Sequence, residues 1–170
     1  MCIRDRQKAV LFAGTIRENM RWQKEDASEE EIWQALATAQ AREVVEGKKG
    51  GLDGQVTAGG RNFSGGQRQR LTIARALVSR PEILILDDSA SALDFATDAA
   101  LRRALKEETR GMTVFLVSQR AAAVRRADRI LVLDDGRMAG WGTHEQLVKN
   151  CPVYREICLS QFSGKEAEQL

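Results

Sequence analysis

A surplus of either charge is nearly absent: the 170-residue chain carries 26 Lys and Arg against 24 Asp and Glu. So even a balance excludes the dense basic footprint of a nucleic-acid binder. Long apolar runs are also lacking. The longest, residues 83–86 and 114–117, fall far short of the roughly 20 residues needed to span a bilayer. No apolar segment with secretory flanks opens the chain, so export of this polypeptide is not expected. Cysteine is sparse. Cys2, Cys151 and Cys158 form no CxxC pair, and an odd, scattered set is not a disulfide framework. They read as reduced thiols of a cytosolic protein rather than a metal or redox centre. His144 is the only histidine, which excludes a histidine-based metal site within this chain. Its setting after Thr143 reads as a helix start with a threonine N-cap, and His144 itself as a solvated helix position. No internal repeat or low-complexity tract is present.

What is there supports a folded core. Hydrophobic residues make up 43% and charged ones 29%, enough for one domain or at most a domain and a half with a solvated surface. Residues 15–22 and 28–40 read as helices. Ser28 and Glu31 form a capping box, and Ile32, Trp33 and Leu36 make an apolar stripe. Residues 47–54 read as a Gly-rich loop. A second Gly-rich turn, 59–66, runs into a long helix from about 67 to 79 that Pro81 stops. Residues 82–87 form a continuous apolar run, as for a strand buried on both faces. A helix over 94–109, a strand over 113–118, a short helix over 121–127 and a strand over 130–133 follow. That alternation predicts parallel pairing of the three strands. Residues 134–137 predict a hairpin turn into an antiparallel edge, and two amphipathic helices, 143–150 and 153–161, close the chain. The fold class is α/β with a helical insert at the front.

Two constellations carry chemistry. The strand over 83–86 ends in Asp87-Asp88. Carboxylates at the carboxyl end of a buried parallel strand sit where α/β sheets bind ligands. One can hold a metal ion and the next can orient a nucleophilic water; equally, the pair reads as an acidic strand-ending turn. Ser64-Gly65-Gly66-Gln67 opens the long helix, where orphan amides and the helix dipole favour an anion and two side chains add donors. Alone, that segment also reads as a Gly-rich N-cap with nothing bound. Arg68, Arg70, Arg75 and Arg80 suggest a phosphate-binding face, but solvated positions with local ion pairs are the preferred reading. Trp22, Trp33 and Trp141 are scattered, and none is assigned to a ligand.

Taken together, residues 62–77, then 83–88, then 91–94 resemble the nucleotide-binding domain of ATP-binding cassette (ABC) transporters. Ser64 to Gln67 are similar to the signature motif, 83–87 to the Walker B strand and Ser91 to Asp94 to the D-loop. Residues 7–19 resemble the Q-loop and following helix of exporter-type cassettes, and 140–147 their usual C-terminal stretch. The likeness runs from Gln7 to about Phe162. It implies an α/β, P-loop NTPase-like, mostly parallel sheet with an α-helical subdomain. The implied segments are 7–80 (Q-loop, helical subdomain and signature helix), 81–142 (Walker B, D-loop and switch-loop core) and 143–170 (C-terminal helices). In such domains each ATP lies between the phosphate loop and Walker B strand of one copy and the signature helix of another. Ser64, Gly65, Gly66 and Gln67 are thereby implied to touch the γ-phosphate of ATP held mainly by the partner. Asp87 is implied to support Mg²⁺. Gln7 is implied to serve catalysis and the metal and to link the site to membrane domains, and Asp94 to sit at the dimer contact.

The pattern is incomplete in three places. No GxxxxGK[ST] occurs, and only six residues precede Gln7. The resemblance therefore implies a reading without its N-terminal phosphate-loop portion, with 1–6 a foreign junction, and a chain that does not hydrolyse ATP alone. Asp88 stands where active members carry glutamate; its carboxylate is drawn back by roughly 1 Å, and misplacement on that scale can cost about 10²-fold in rate. Gln119 falls at the switch-histidine position; glutamine hydrogen-bonds but does not shuttle a proton near neutral pH. Both losses concern one site while the signature is kept, and Ala58 stands where many homodimeric exporters carry glutamate. The resemblance thus implies the degenerate-site subunit of a heterodimeric exporter, at the cytoplasmic face of a membrane. Its partners would be a different ABC domain and transmembrane domains, with no nucleic acid. The alternatives are a slowly hydrolysing homodimer, a non-hydrolysing regulatory ATP-binding module and, disfavoured by the mild charge and the exporter-like 15–19, a soluble ABC ATPase acting on DNA.

Overall fold

A computed structural model describes residues 2–5, 9–88 and 92–161, the first four as backbone alone. The chain divides into two compact units, Met1–Val117 and Ser118–Leu170.

In the first unit, local cap chemistry sets most helix boundaries. Helix α1 (Ile16–Arg21) starts at Thr15 and α2 (Glu29–Thr38) at Ser28, each with a reciprocal capping box to Glu18 and Glu31. Four short elements had no sequence expectation: β1 (Cys2–Asp5), within the residues read as a foreign junction, α3 (Arg42–Glu46) and an antiparallel pair, β2 (Gly14–Thr15) with β3 (Gln55–Val56). The 47–54 loop contains a 3-10 turn, Gly51–Asp53. Helix α4 (Gly65–Val78) begins two residues earlier than the periodicity predicts, because Ser64 rather than a glycine is its N-cap. The strands are β1 (Cys2–Asp5), β4 (Ile83–Asp87) and β5 (Thr113–Val117), in parallel order β1-β4-β5. Helix α5 (Phe95–Glu108) connects the last two.

The core of this unit gathers Met20, Ile32, Leu36 and Val45 with Leu71, Ile73, Leu84 and Leu86. Truncating one such leucine to alanine costs about 2–5 kcal/mol. The expectation of a strand buried on both faces is corrected here. Leu84 and Leu86 are fully buried, but Ile83 and Ile85 are half-buried, and Phe115, in register with Ile85, is exposed.

The second unit contains α6 (Ala121–Val124), β6 (Ile130–Asp134), β7 (Arg137–Gly142), α7 (His144–Asn150) and α8 (Pro152–Gln161). Here the hairpin expected at 134–137 is present, β6 pairing antiparallel with β7, Ile130 opposite Gly142 and Asp134 opposite Arg137, while the parallel pairing expected of this third strand is corrected: its described partner is β7. The alternation along β6 gives the reason. Ile130 and Val132 are buried while Leu131 and Leu133 are exposed, the pattern of a strand packed on one face. That face meets Leu147, Val148, Tyr154 and Cys158. His144 opens α7 after the Thr143 N-cap, as the sequence suggests, yet it is not simply solvated. Its Nδ1 lies 3.0 Å from the Tyr154 hydroxyl, and burial pushes its pKa below the ordinary histidine value.

Candidate functional site

The segment before α4 is held in shape by Asn62 and Phe63. Asn62 Oδ1 accepts from the Thr57 amide and hydroxyl, both at 3.1 Å, and its Nδ2 donates to Gln55 O at 2.7 Å. Phe63 is buried, with the Lys48 ammonium 4.3 Å above its ring. Gly60 has a positive φ of 67° and leaves no room for a Cβ, which would meet Arg68 Cδ at 3.0 Å and Leu11 Cδ1 at 3.1 Å.

Out of this turn Ser64 caps α4. Its hydroxyl accepts from the Gln67 amide at 3.2 Å, and Gln67 Oε1 accepts from the Ser64 amide at 3.0 Å. The amides of Gly65 and Gly66 belong to the first turn and have no acceptor within the helix. Gly66 touches the segment leading to α5: a Cβ there would lie 3.0 Å from Ala92 O, whereas one on Gly65 would meet only Ala92 Cβ, at 3.7 Å. An exposed hydroxyl beside free first-turn amides can take a phosphate oxygen.

Asp87 ends β4 and is 8% exposed. Asp88 follows with φ of 48°, in the left-handed region. Its amide donates to Val117 O at 2.9 Å, and its carbonyl accepts from Gln69 Nε2 at 3.2 Å. Gln69, 5% exposed, also accepts from the Ala92 amide at 3.0 Å through Oε1. Sequence reasoning passed over Gln69, because nothing in a helical pattern distinguishes an inward glutamine from a solvated one. Asp94 caps α5; hydrogen bonds from the Thr97 amide (2.9 Å) and hydroxyl (2.8 Å) hold its carboxyl below the usual carboxylate range. The first unit therefore brings Gly65 and Gly66, at the start of the Ser64-capped helix, against Ala92 and Leu93, which lead to Asp94. Gln119 belongs to the second unit, where its carbonyl accepts from Gln161 Nε2 at 2.8 Å while Gln161 Oε1 accepts from the Ala121 amide. Gln7 and Ser91 lie outside the described residues.

The arginines near α4 form neither a phosphate face nor a solvated row. Arg68 donates to Phe63 O at 3.0 Å, Arg70 to Gln40 O and Arg75 to Val10 O at 3.1 Å, so they fasten loops to the helix. Arg75 also lies over the Phe12 ring, which stacks on Trp22 at 4.2 Å. Among the described residues no group of three His, Cys, Asp or Glu could hold a metal. A magnesium ion takes one or two carboxylates and completes its shell with phosphate oxygens and water, and Asp87, at the end of β4, is a carboxylate of the kind such an ion would use.

A parallel α/β sheet with acids at a strand's carboxyl end and a glycine-opened helix start is an arrangement that α/β proteins use to bind phosphates. A family profile described as ABC transporter matches residues 5–91, half of the chain, and the chain belongs to that family. It is 43% identical over 158 residues to an uncharacterized ABC transporter ATP-binding protein of Mycobacterium bovis, covering 91% of this chain and 27% of that protein. It is 45% identical over 150 residues to YheI of Bacillus subtilis, a probable multidrug resistance ABC transporter ATP-binding/permease protein, covering 88% of this chain and 26% of that one. Among solved structures, a bacterial Atm1-family ABC exporter with ATP bound superposes with a TM-score of 0.87 at 32% identity, over 94% of this chain and 28% of that chain. The chain thus spans about a quarter of the length of the curated relatives it matches. No helix among the described residues is long and apolar enough to cross a membrane.

Proposed function

We propose that this chain is part of the ATP-binding domain of an exporter, coupling ATP binding and hydrolysis at a domain dimer to transport through membrane helices. The observation that carries the reading is the Ser64-capped start of α4 packed, through Gly66, against Ala92 and Leu93 just before Asp94. The relatives' names and the exporter neighbour support it.

In this reading Ser64, Gly65, Gly66 and Gln67 donate to the γ-phosphate of ATP held mainly by a second domain, where developing negative charge is stabilised by fixed donors. Asp87 would hold Mg²⁺, whose charge would neutralise that of the phosphates. Asp88 orients the water that attacks the γ-phosphorus as the bond to ADP breaks; Gln119 stands at the family's switch-histidine position. Gln7 links that site to the membrane domains, and Asp94 lies at the dimer contact. The domain works on the cytoplasmic side of a membrane beside a different ABC subunit. Asp88 and Gln119 make this chain's own site the weaker one, while the intact signature serves the partner's.

The test is ATP hydrolysis by the full-length pair carrying Asp88→Glu with Gln119→His. The expected result is a rise in turnover at this chain's site. If turnover does not rise although ATP still stabilises the pair, the chain is a regulatory ATP-binding module, and the degenerate-site reading is lost.

A further inference from the structure

Residue 88 is held from two sides: by β5 through the Val117 carbonyl and by α4 through the Gln69 carboxamide. Its φ of 48° lies in a region that residues with a Cβ populate sparsely, and such a conformation persists where the surroundings over-determine it. Gln69 supplies half of that restraint. The same carboxamide uses its oxygen on the Ala92 amide, so one nearly buried side chain grips both ends of the segment 88–92. An amide group offers one acceptor atom and one donor atom, and here each is matched to the backbone group that needs it.

We infer that Gln69 is a positioning residue that sets the carboxylate of Asp88 and the approach to α5 from the helix that begins at the signature. The inference rests on the ATPase reading above. In consequence, the helix whose first turn faces the partner's nucleotide and the strand end that faces this chain's own nucleotide share one hydrogen-bonded link. Without it, among the described residues Asp88 keeps its β5 bond and Ala92 its packing against Gly66. A drift of about 1 Å at Asp88 is enough to cost on the order of 10²-fold at that site.

The test uses the full-length transporter dimer with Gln69→Met, which keeps length and loses both bonds, and Gln69→Glu, which keeps the acceptor for Ala92 and loses the donor for Asp88. In a dimer whose partner site is silenced, so that turnover at this chain's own site alone is read, either variant lowers kcat for ATP hydrolysis about tenfold, with KM for ATP within about twofold. Asp88→Glu raises turnover in the parent background but not alongside Gln69→Met. Additive effects in that cycle, or an unchanged kcat in both variants, overturn the inference. Amide exchange gives an independent readout: the Ala92 amide loses protection in Gln69→Met but keeps it in Gln69→Glu, while the α4 amides stay protected. Unchanged protection at Ala92 in Gln69→Met overturns the link. A parent dimer that hydrolyses no ATP removes the ATPase reading instead, and the exchange result still decides the Gln69 clamp.

Discussion

The carboxamide of Asn19 closes a ring on the backbone of Phe12: its Nδ2 donates to Phe12 O at 2.9 Å and its Oδ1 accepts from the Phe12 amide at 2.8 Å. Asn19 is 2% exposed, and its Nδ2 also reaches Thr15 O. Replacement by leucine keeps the volume and strands these backbone groups. Asn19→Leu is expected to lose about 1–3 kcal/mol of stability in urea titration, whereas Asn19→Ser, small enough to admit water, loses less than the leucine variant.

Ser64 has two separable duties, capping α4 and presenting a hydroxyl. Aspartate caps as well as serine but brings a negative charge to a place read as phosphate-facing. Ser64→Asp is expected to unfold within about 0.5 kcal/mol of the parent while ATP turnover of the full-length pair falls on the order of 10²-fold. Ser64→Ala loses the cap, about 1 kcal/mol. Equal turnover in the parent and the aspartate variant would remove Ser64 from the site.

Gly65 and Gly66 differ in what a methyl group would meet. At Gly65 the nearest atom is in ordinary contact; at Gly66 it is a backbone carbonyl oxygen at 3.0 Å. Gly65→Ala is therefore expected to raise the melting temperature slightly, since alanine is the better helix former by roughly 0.5–1 kcal/mol. Gly66→Ala offsets that gain with overpacking of about 1–3 kcal/mol and melts below Gly65→Ala in thermal scans.

His144 titrates below its ordinary value because burial disfavours the cation, with Arg125 adding to the effect. The unfolded state then binds more protons than the folded one in that range. The histidine's contribution is whole above about pH 6.5 and is lost as pH falls through the lower, folded-state pKa. Its ring protons are expected to titrate with a midpoint under 6.5 by NMR, and His144→Asn flattens the fall in stability between pH 6.5 and that midpoint. A midpoint above 6.5 would contradict the burial beside Tyr154.

What was legible in the sequence was local. The capping box of α2 is read directly from Ser28 and Glu31; those of α1 and α4 are written as compactly, within four residues of chain, and went unread. The signature and the paired acids were legible as motifs. By contrast, β4 and β6 have nearly the same apolar texture, and only their neighbours decide that one joins a parallel sheet and the other a hairpin. Arg68, Arg70 and Arg75 looked solvated because their partners are backbone carbonyls distant in sequence, which side-chain patterns do not reveal. Gln69 was invisible for the same reason.

The backbone of Asp88 has a consequence for its own replacement. Aspartate and asparagine are the side chains that settle most readily at positive φ after glycine; a glutamate there gains reach and gives up that ease. The short acid is thus the comfortable occupant of a cramped bend, and the longer one gains access to a water molecule only by leaning on its neighbours. A variant that quickens the chemistry at this position should therefore unfold sooner, making activity and endurance opposing demands on a single residue.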